Sequence, residues 1–204
     1  MEYKRYIICT DTHGCIDEFK ELISMIGPTD QDLVISLGDN VDRGPSSAEC
    51  IDFCIKIGAR LCKANHENKL IRWKDKEELV KMGVIKNNDV QLRNIHRRSI
   101  EDIDNHPNSK ELWDYITNRS EDMICFTVKD KRYVCVHAGL HPKEGLRTPP
   151  DVLMRIRKLD NVSLKSLNFG TSAFEAGSFW AELWNGPERE IFGQNVFSAA
   201  TNVK

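Results

Sequence analysis

No stretch of this chain is apolar for long enough to cross a membrane. Its longest apolar runs have strand length, far below the roughly 20 residues that a helical span requires. No amino-terminal segment has the make-up of a secretory signal, and no internal repeat or low-complexity tract is present. A dominant charge is missing too: 29 Lys and Arg stand against 31 Asp and Glu, a formal charge of −2. Without a global basic footprint, extensive non-specific nucleic-acid binding is not expected. The cysteines number seven and so cannot all pair within the chain. Cys9, Cys54, Cys62, Cys125 and Cys135 fall in apolar strands or helix faces and read as buried reduced thiols, which favours a cytoplasmic location. Cys50 and Cys54 lack a partner pair, so a zinc knuckle is rejected. The chain does have apolar residues enough, 40% of 204, for one domain with a good core.

The chemistry collects after the apolar run Asp32-Leu33-Val34-Ile35-Ser36-Leu37, which reads as a buried strand. Gly38-Asp39-Asn40-Val41-Asp42-Arg43-Gly44-Pro45 follows it, so two acids and an arginine occupy a glycine-bounded loop at the carboxyl end of a strand. In open α/β sheets that edge is where ligands bind. A carboxylate there can hold a hard cation, and a guanidinium can clamp phosphate with its planar fork. The alternative is a capped turn, with Asp39 and Asp42 bonding backbone amides.

Other strand ends carry similar residues. Arg5–Thr10 reads as a first strand running into Asp11-Thr12-His13-Gly14; two residues apart on extended backbone, Asp11 and His13 point the same way. Ile16, Phe19, Leu22, Ile23 and Ile26 mark a helix ended by Gly27-Pro28. Pro45 and the Ser46-Ser47 pair suit the start of another, with Ile51, Cys54 and Ile55 inward. Ala59–Ala64 is a short third strand ending on Asn65-His66-Glu67. Strand–helix–strand–helix–strand at this spacing argues for parallel pairing, which brings Asp11, Asp39 and Asn65 to one rim.

Residues 66–120 are polar with helical apolar spacing: Leu70, Ile71, Trp73 and Leu79; then Val90, Leu92, Ile95, Ile100 and Ile103; then Leu112, Trp113, Tyr115 and Ile116. They read as a helical cap over the rim, with His96 and His106 among surface charges rather than in the chemistry. Met123–Val128 and Tyr133–Val136 form a hairpin, the second strand ending on His137-Ala138-Gly139. A short helix is expected around Val152–Leu159, an aromatic helical turn at Phe179–Trp184 and a last strand at Glu190–Phe192.

Asp11-x-His13-Gly, Gly38-Asp39-x-Val-Asp42-Arg43-Gly, Asn65-His66-Glu67 and His137-Ala-Gly, in that order from about residue 5 to 195, resemble the calcineurin-like metallophosphoesterases. Within them the resemblance is to the phosphoprotein phosphatase branch, which holds serine/threonine phosphatases and symmetrical diadenosine tetraphosphatases. It implies an α/β metallophosphoesterase-like β-sandwich flanked by helices, one domain over 1–204 with 66–120 as a cap insertion. It also implies two divalent metal ions, Mn²⁺ foremost, with Fe, Zn, Ni or Co as alternatives. Asp11 and His13 would hold one, Asp39 would bridge, and Asn65 and His137 would hold the second. His66 would be the general acid oriented by Asp42, and Arg43, with Asn65 and Arg155 or Arg157, would bind phosphate. A metal-bound water would attack directly, so no serine or cysteine nucleophile is needed.

Two positions depart from that pattern. Ala64 replaces a glycine, which would cost about 1 kcal/mol if the backbone there is left-handed. Gln194 stands where a metal-binding histidine is usual, an amide oxygen being the poorer donor. Relatives also continue into further strands of the second sheet, which are expected to be missing here. The expected substrate is a phosphomonoester, on a phosphorylated protein or a small molecule. The alternatives are a dinucleoside tetraphosphate, for which Trp73 and Trp113 could stack on bases, or a catalytically weak regulatory role.

Overall fold

The computed structural model of the chain describes residues 3–86, 94–168 and 171–184. The chain divides into two compact units, residues 1–121 and 122–204. In the first, three parallel strands lie in the order β1 (Arg5–Cys9), β2 (Asp32–Ser36), β3 (Arg60–Leu61). Every residue of central β2 is buried, which explains its apolar run: a parallel strand covered on both faces has no polar side to show. Cys9 pairs with Ser36 and Ser36 with Leu61, so the strands end level and deliver their loops to one edge. At the opposite end the Arg5 guanidinium donates to both oxygens of Asp32, at 2.9 and 2.7 Å. Those bonds, helped by the Thr29 amide, hold the Asp32 carboxyl well below the usual carboxylate range.

Helices α1 (Ile16–Ile26) and α2 (Ser47–Lys56) connect the strands. Gly27 ends α1 in a left-handed turn at φ 57°, its N–H returning to the Ile23 carbonyl. Ser46 caps α2 by accepting from Glu49 N. Ile16, Phe19 and Ile23 face inward, whereas Leu22, predicted to join them, is exposed.

After β3 come α3 (Asn65–Lys81), α4 (Asn94–Asn105) and α5 (Ser109–Thr117). Leu70, Ile100, Ile103, Leu112 and Ile116 share one buried cluster with Phe19, Ile51, Cys54 and Leu61. The polar helical stretch is thus built into the core of the first unit. Trp73 and Trp113 pack against the same cluster, and the Trp113 indole N–H donates to Asp104 at 2.8 Å. Val90 and Leu92 lie outside the described residues.

The second unit opens with the predicted hairpin, β4 (Ile124–Val128) and β5 (Lys131–Cys135). Lys129 and Asp130 form its two-residue turn at φ 46° and 66°, the left-handed geometry that matches strand twist. The chain continues through α6 (Pro150–Leu153), β6 (Lys158–Leu159), α7 (Ser172–Ala176) and β7 (Ser178–Phe179), with β6 and β7 antiparallel. This corrects two expectations. Leu153, Ile156 and Leu159 are spaced like a helix face, but the helix stops at Leu153 because Lys158–Leu159 pairs with Ser178–Phe179. Pairing likewise makes Phe179 an exposed strand residue, while Trp180 turns inward onto Leu140, Leu153, Ile156 and Leu159. The indole leaves no room beside Gly139, where a Cβ would lie 2.2 Å from Trp180 Cε2. The predicted strand at Glu190–Phe192 lies outside the described residues.

All seven cysteines are free thiols, with Cys50, Cys54, Cys62 and Cys135 buried but Cys9 and Cys125 only half-buried. Among the described residues no helix is long and apolar enough to cross a membrane.

Candidate active site

Two loops are laced together at the carboxyl edge of the sheet. Asp11 N donates to Gly38 O, His13 N to Asp39 O, Gly14 N to Asn40 O and Gly44 N to His13 O, all within 3.0 Å. The convergence of Asp11 and His13 does not come from strand alternation, because β1 already ends at Cys9. Both take left-handed backbone, φ 55° and 46°, as do Asp39, Asp42 and Arg43 at 53°, 68° and 68°. Such conformations cost roughly 1–2 kcal/mol per non-glycine residue and persist where the surroundings over-determine them, typically at functional sites. Gly38 has its own reason to lack a side chain: a Cβ there would meet the Ala64 Cβ at 2.4 Å. Ala64 itself is extended at φ −126°, so replacing glycine there carries no strain.

Around Asp39 the donors are spaced apart. His13 Nδ1 bonds the Val41 carbonyl at 2.9 Å, which makes Nδ1 the protonated nitrogen and leaves Nε2 with its lone pair. That Nε2 lies 3.8 Å from Asp11 Oδ1 and 3.8 Å from Asp39 Oδ2, and His66 Nε2 lies 3.9 Å from Asp39 Oδ2. The two distances from His13 Nε2 are too long for hydrogen bonds and suit donors that share a cation, at bonds of roughly 2.0–2.2 Å each, while His66 Nε2 stands at the edge of that space. His13 and Asp39 are buried and His66 half-buried, so water is largely kept from these donors. The residues therefore fit a divalent cation.

Glu67, in the first turn of α3, braces this corner. Its two carboxylate oxygens accept the amides of Asp39 and Asn40 at 3.0 and 2.7 Å, and His66 N donates to Asp39 Oδ1 at 3.1 Å. Burial, with the Asp39 charge adding to it, pushes the Glu67 carboxyl up to about 7.

Around Asp42 the donors close in. Its Oδ2 lies 2.5 Å from His66 Nδ1 and 2.6 Å from His96 Nδ1, and its Oδ1 accepts from Ser99 Oγ at 2.6 Å. Burial works against ionisation here, but the hydrogen bonds from His66 and Ser99 and the His96 ring outweigh it, and the carboxyl lies below its ordinary range. His96 is therefore no surface histidine, as its charged neighbours in sequence suggest; it is buried, on the same helical stripe as Ser99, Ile100 and Ile103. That stripe was the signal available in sequence. His106, by contrast, sits 3.5 Å from Glu49 on the flank of α2.

Arg43 is exposed and lines a cavity of about 620 Å³ with Gly44, Pro45, Ser47, Arg98 and Asp102. Arg98 donates to the Pro45 carbonyl at 3.3 Å. Asn65 is the first residue of α3, directly before His66. The first unit thus gathers Asp11, His13, Asp39, Asp42, Arg43, Asn65 and His66 onto the loops of one sheet edge and the start of α3. His137, two residues past β5, and the exposed Arg155 and Arg157 belong to the second unit. Gln194 lies outside the described residues.

Residues 4–195 match the sequence model of the calcineurin-like phosphoesterase family. Among curated proteins, a symmetrical bis(5'-nucleosyl)-tetraphosphatase of Pectobacterium carotovorum is 25% identical over 191 residues, covering 92% of this chain and 62% of its own length. The PP2A-like serine/threonine-protein phosphatase PPG1 of Saccharomyces cerevisiae is 23% identical over 155 residues, covering 73% of this chain and 36% of its own. This chain thus spans about three fifths of the first relative's length. A solved structure proposed to be a diadenosine tetraphosphatase superposes with a TM-score of 0.65 at 22% identity, over 90% of this chain and 71% of that one, and supports the fold.

Proposed function

We propose a reaction for this chain, which belongs to the calcineurin-like phosphoesterase family: it hydrolyses dinucleoside tetraphosphates symmetrically, to two nucleoside diphosphates, with divalent cations. The observation that carries the substrate class is the symmetrical tetraphosphatase that matches 92% of the chain, against 73% for the protein phosphatase. That puts a dinucleoside polyphosphate ahead of the protein phosphomonoester favoured by sequence alone.

Asp11, His13 and Asp39 would hold one cation, and Asp39 and Asn65, with His137 and Gln194 on motif order alone, would hold a second. Two divalent cations there would supply a water nucleophile at neutral pH and neutralise charge on the phosphoryl group. Carboxylate, amide and imidazole donors together suit Mn²⁺, with Fe, Zn, Ni or Co as competitors. Arg43 clamps the phosphate from the wall of a cavity of about 620 Å³; Arg155 or Arg157 assists on the family pattern. His66, tied at Nδ1 to Asp42, holds a proton at Nε2 for the leaving oxygen. Residues 1–204 work as one metallophosphoesterase domain, and seven free thiols suit a reducing, cytoplasmic setting.

One observation favours the second reading, a phosphomonoesterase. A nucleoside diphosphate is a good leaving group and needs little protonation, whereas a serine or threonine alkoxide needs much. The buried Asp42–His66 pair is a device for the poorer leaving group. Incubation with diadenosine tetraphosphate and Mn²⁺, followed by nucleotide separation, decides: ADP as sole product is expected. ATP with AMP would move the cut off centre. No nucleotide product together with rapid hydrolysis of a phosphoserine peptide would transfer the function to the second reading.

A further inference from the structure

His96 is a buried imidazole for which the reaction so far has no use. It comes from α4, 54 residues along the chain from Asp42, yet its Nδ1 lies 2.6 Å from Asp42 Oδ2. That oxygen is the one held by His66 Nδ1 at 2.5 Å, and the two rings stand edge to face, centroids 5.8 Å apart. Ser99, one turn along α4, donates to the other oxygen at 2.6 Å, and its Oγ also receives the Asp42 amide at 3.1 Å. A carboxylate only accepts, so both imidazoles present Nδ1–H to it, which fixes their ring orientation. A cation shared by the three groups is excluded by spacing. Donors bound to one ion at roughly 2.0–2.2 Å stand near 3 Å or more apart, and here nitrogen and oxygen are 2.5 and 2.6 Å apart.

We propose that His96 is a positioning residue for the general acid. With Ser99 it bonds both oxygens of Asp42 and locks the side-chain torsions of a carboxylate that is wholly buried. The oxygen that holds His66 then has one place to be, and His66 Nε2 has one direction to aim. Substrates whose leaving oxygen must be protonated depend on that aim; substrates with good leaving groups do not. The inference rests on His66 acting as general acid in the proposed reaction.

The test uses the full chain with cation bound and two variants: His96→Leu fills the space without a donor, and His96→Asn restores an N–H near the place of Nδ1. Turnover is measured on aryl phosphates of graded leaving-group acidity, with metal content and melting temperature alongside. His96→Leu is expected to lower kcat about 10–100-fold on poor leaving groups, the usual worth of an outer hydrogen-bond partner. KM and metal content should hold, the deficit should vanish for good leaving groups, and His96→Asn should recover most of the rate. A loss equal across the series, or one that tracks melting temperature, would reduce His96 to a packing residue. A second arm needs no turnover. With diamagnetic Mg²⁺ or Zn²⁺ bound, proton NMR should show downfield Nδ1–H signals from both His66 and His96, and the His66 signal should shift and broaden in His96→Leu. An unmoved His66 signal overturns the proposal even if the chain hydrolyses none of these esters, an outcome that would count against the proposed function alone.

Discussion

Asp39 and Asp42 stand three residues apart in one loop, both buried and both on left-handed backbone, yet their surroundings are opposites. Imidazole nitrogens approach Asp39 Oδ2 only to 3.8 and 3.9 Å, whereas Asp42 meets two imidazoles and a hydroxyl at 2.5–2.6 Å. A carboxylate held by close hydrogen bonds on both oxygens is a fixture that orients its neighbours. One whose Oδ2 faces imidazole nitrogens at a distance keeps room for a cation there. Identical residue types thus differ through spacing, into the metal corner we propose at Asp39 and the proton corner we propose at Asp42; His66 stands between them, Nδ1 on Asp42 and Nε2 3.9 Å from Asp39.

The strongest way to break this comparison is at the metal corner. Asp39→Asn should reduce hydrolysis to background and release bound metal, read by elemental analysis, while circular dichroism stays native. Chelation of the wild type should do the same reversibly, with Mn²⁺ restoring turnover; full activity in excess EDTA would sink the metal assignment. At the proton corner, His66→Asn should lower kcat by roughly 10²–10⁴-fold on esters with poor leaving groups. Metal content should be retained there, and a loss of metal would merge the two corners into one. Arg43→Ala touches neither: it should raise KM and weaken inhibition by inorganic phosphate about 10–100-fold, the worth of a hydrogen bond to a charged group.

The smallest effect concerns the brace beneath both corners. Glu67→Gln leaves one of the two loop amides without its acceptor, and urea melts should show a loss of about 1–3 kcal/mol. The sign of its pH dependence follows from the raised carboxyl. The folded state holds that proton up to about 7, above the roughly 4.3 of an unfolded chain. The stabilisation is therefore complete below about 4.3 and lost as pH rises through about 7. Melts of the cation-free protein should show that decline in wild type and lack it in Glu67→Gln; a flat wild-type profile would refute it.

Much of this was legible locally. β1, β2, α1, α2 and the hairpin follow from apolar periodicity with Gly27, Ser46 and the polar Lys129–Arg132 link as punctuation, all features of neighbouring residues, although pairing extends into that link and leaves a turn of two. The parallel order then brought three polar strand ends to one rim. Where periodicity misled, pairing was the reason: the helical spacing of Leu153, Ile156 and Leu159 lost to the β6–β7 ladder. His96 was misjudged because its sequence neighbours are charged and its actual neighbour is 54 residues away.

By itself, then, the sequence determined which residues could do chemistry and in what order the loops carrying them leave the sheet, because strand ends and helix starts are written in short-range pattern. Only the tertiary structure decided which of two acids is tied by two imidazoles and a hydroxyl and which keeps imidazole nitrogens at 3.8 and 3.9 Å. It also decided that Glu67 spans 27 and 28 residues to brace the loop, and that Ser99 reaches 57 residues to Asp42. Those outcomes are set by distances of a few tenths of an ångström between side chains from separate elements. Left-handed backbone and helix packing set such distances, and residue spacing along a chain does not encode them.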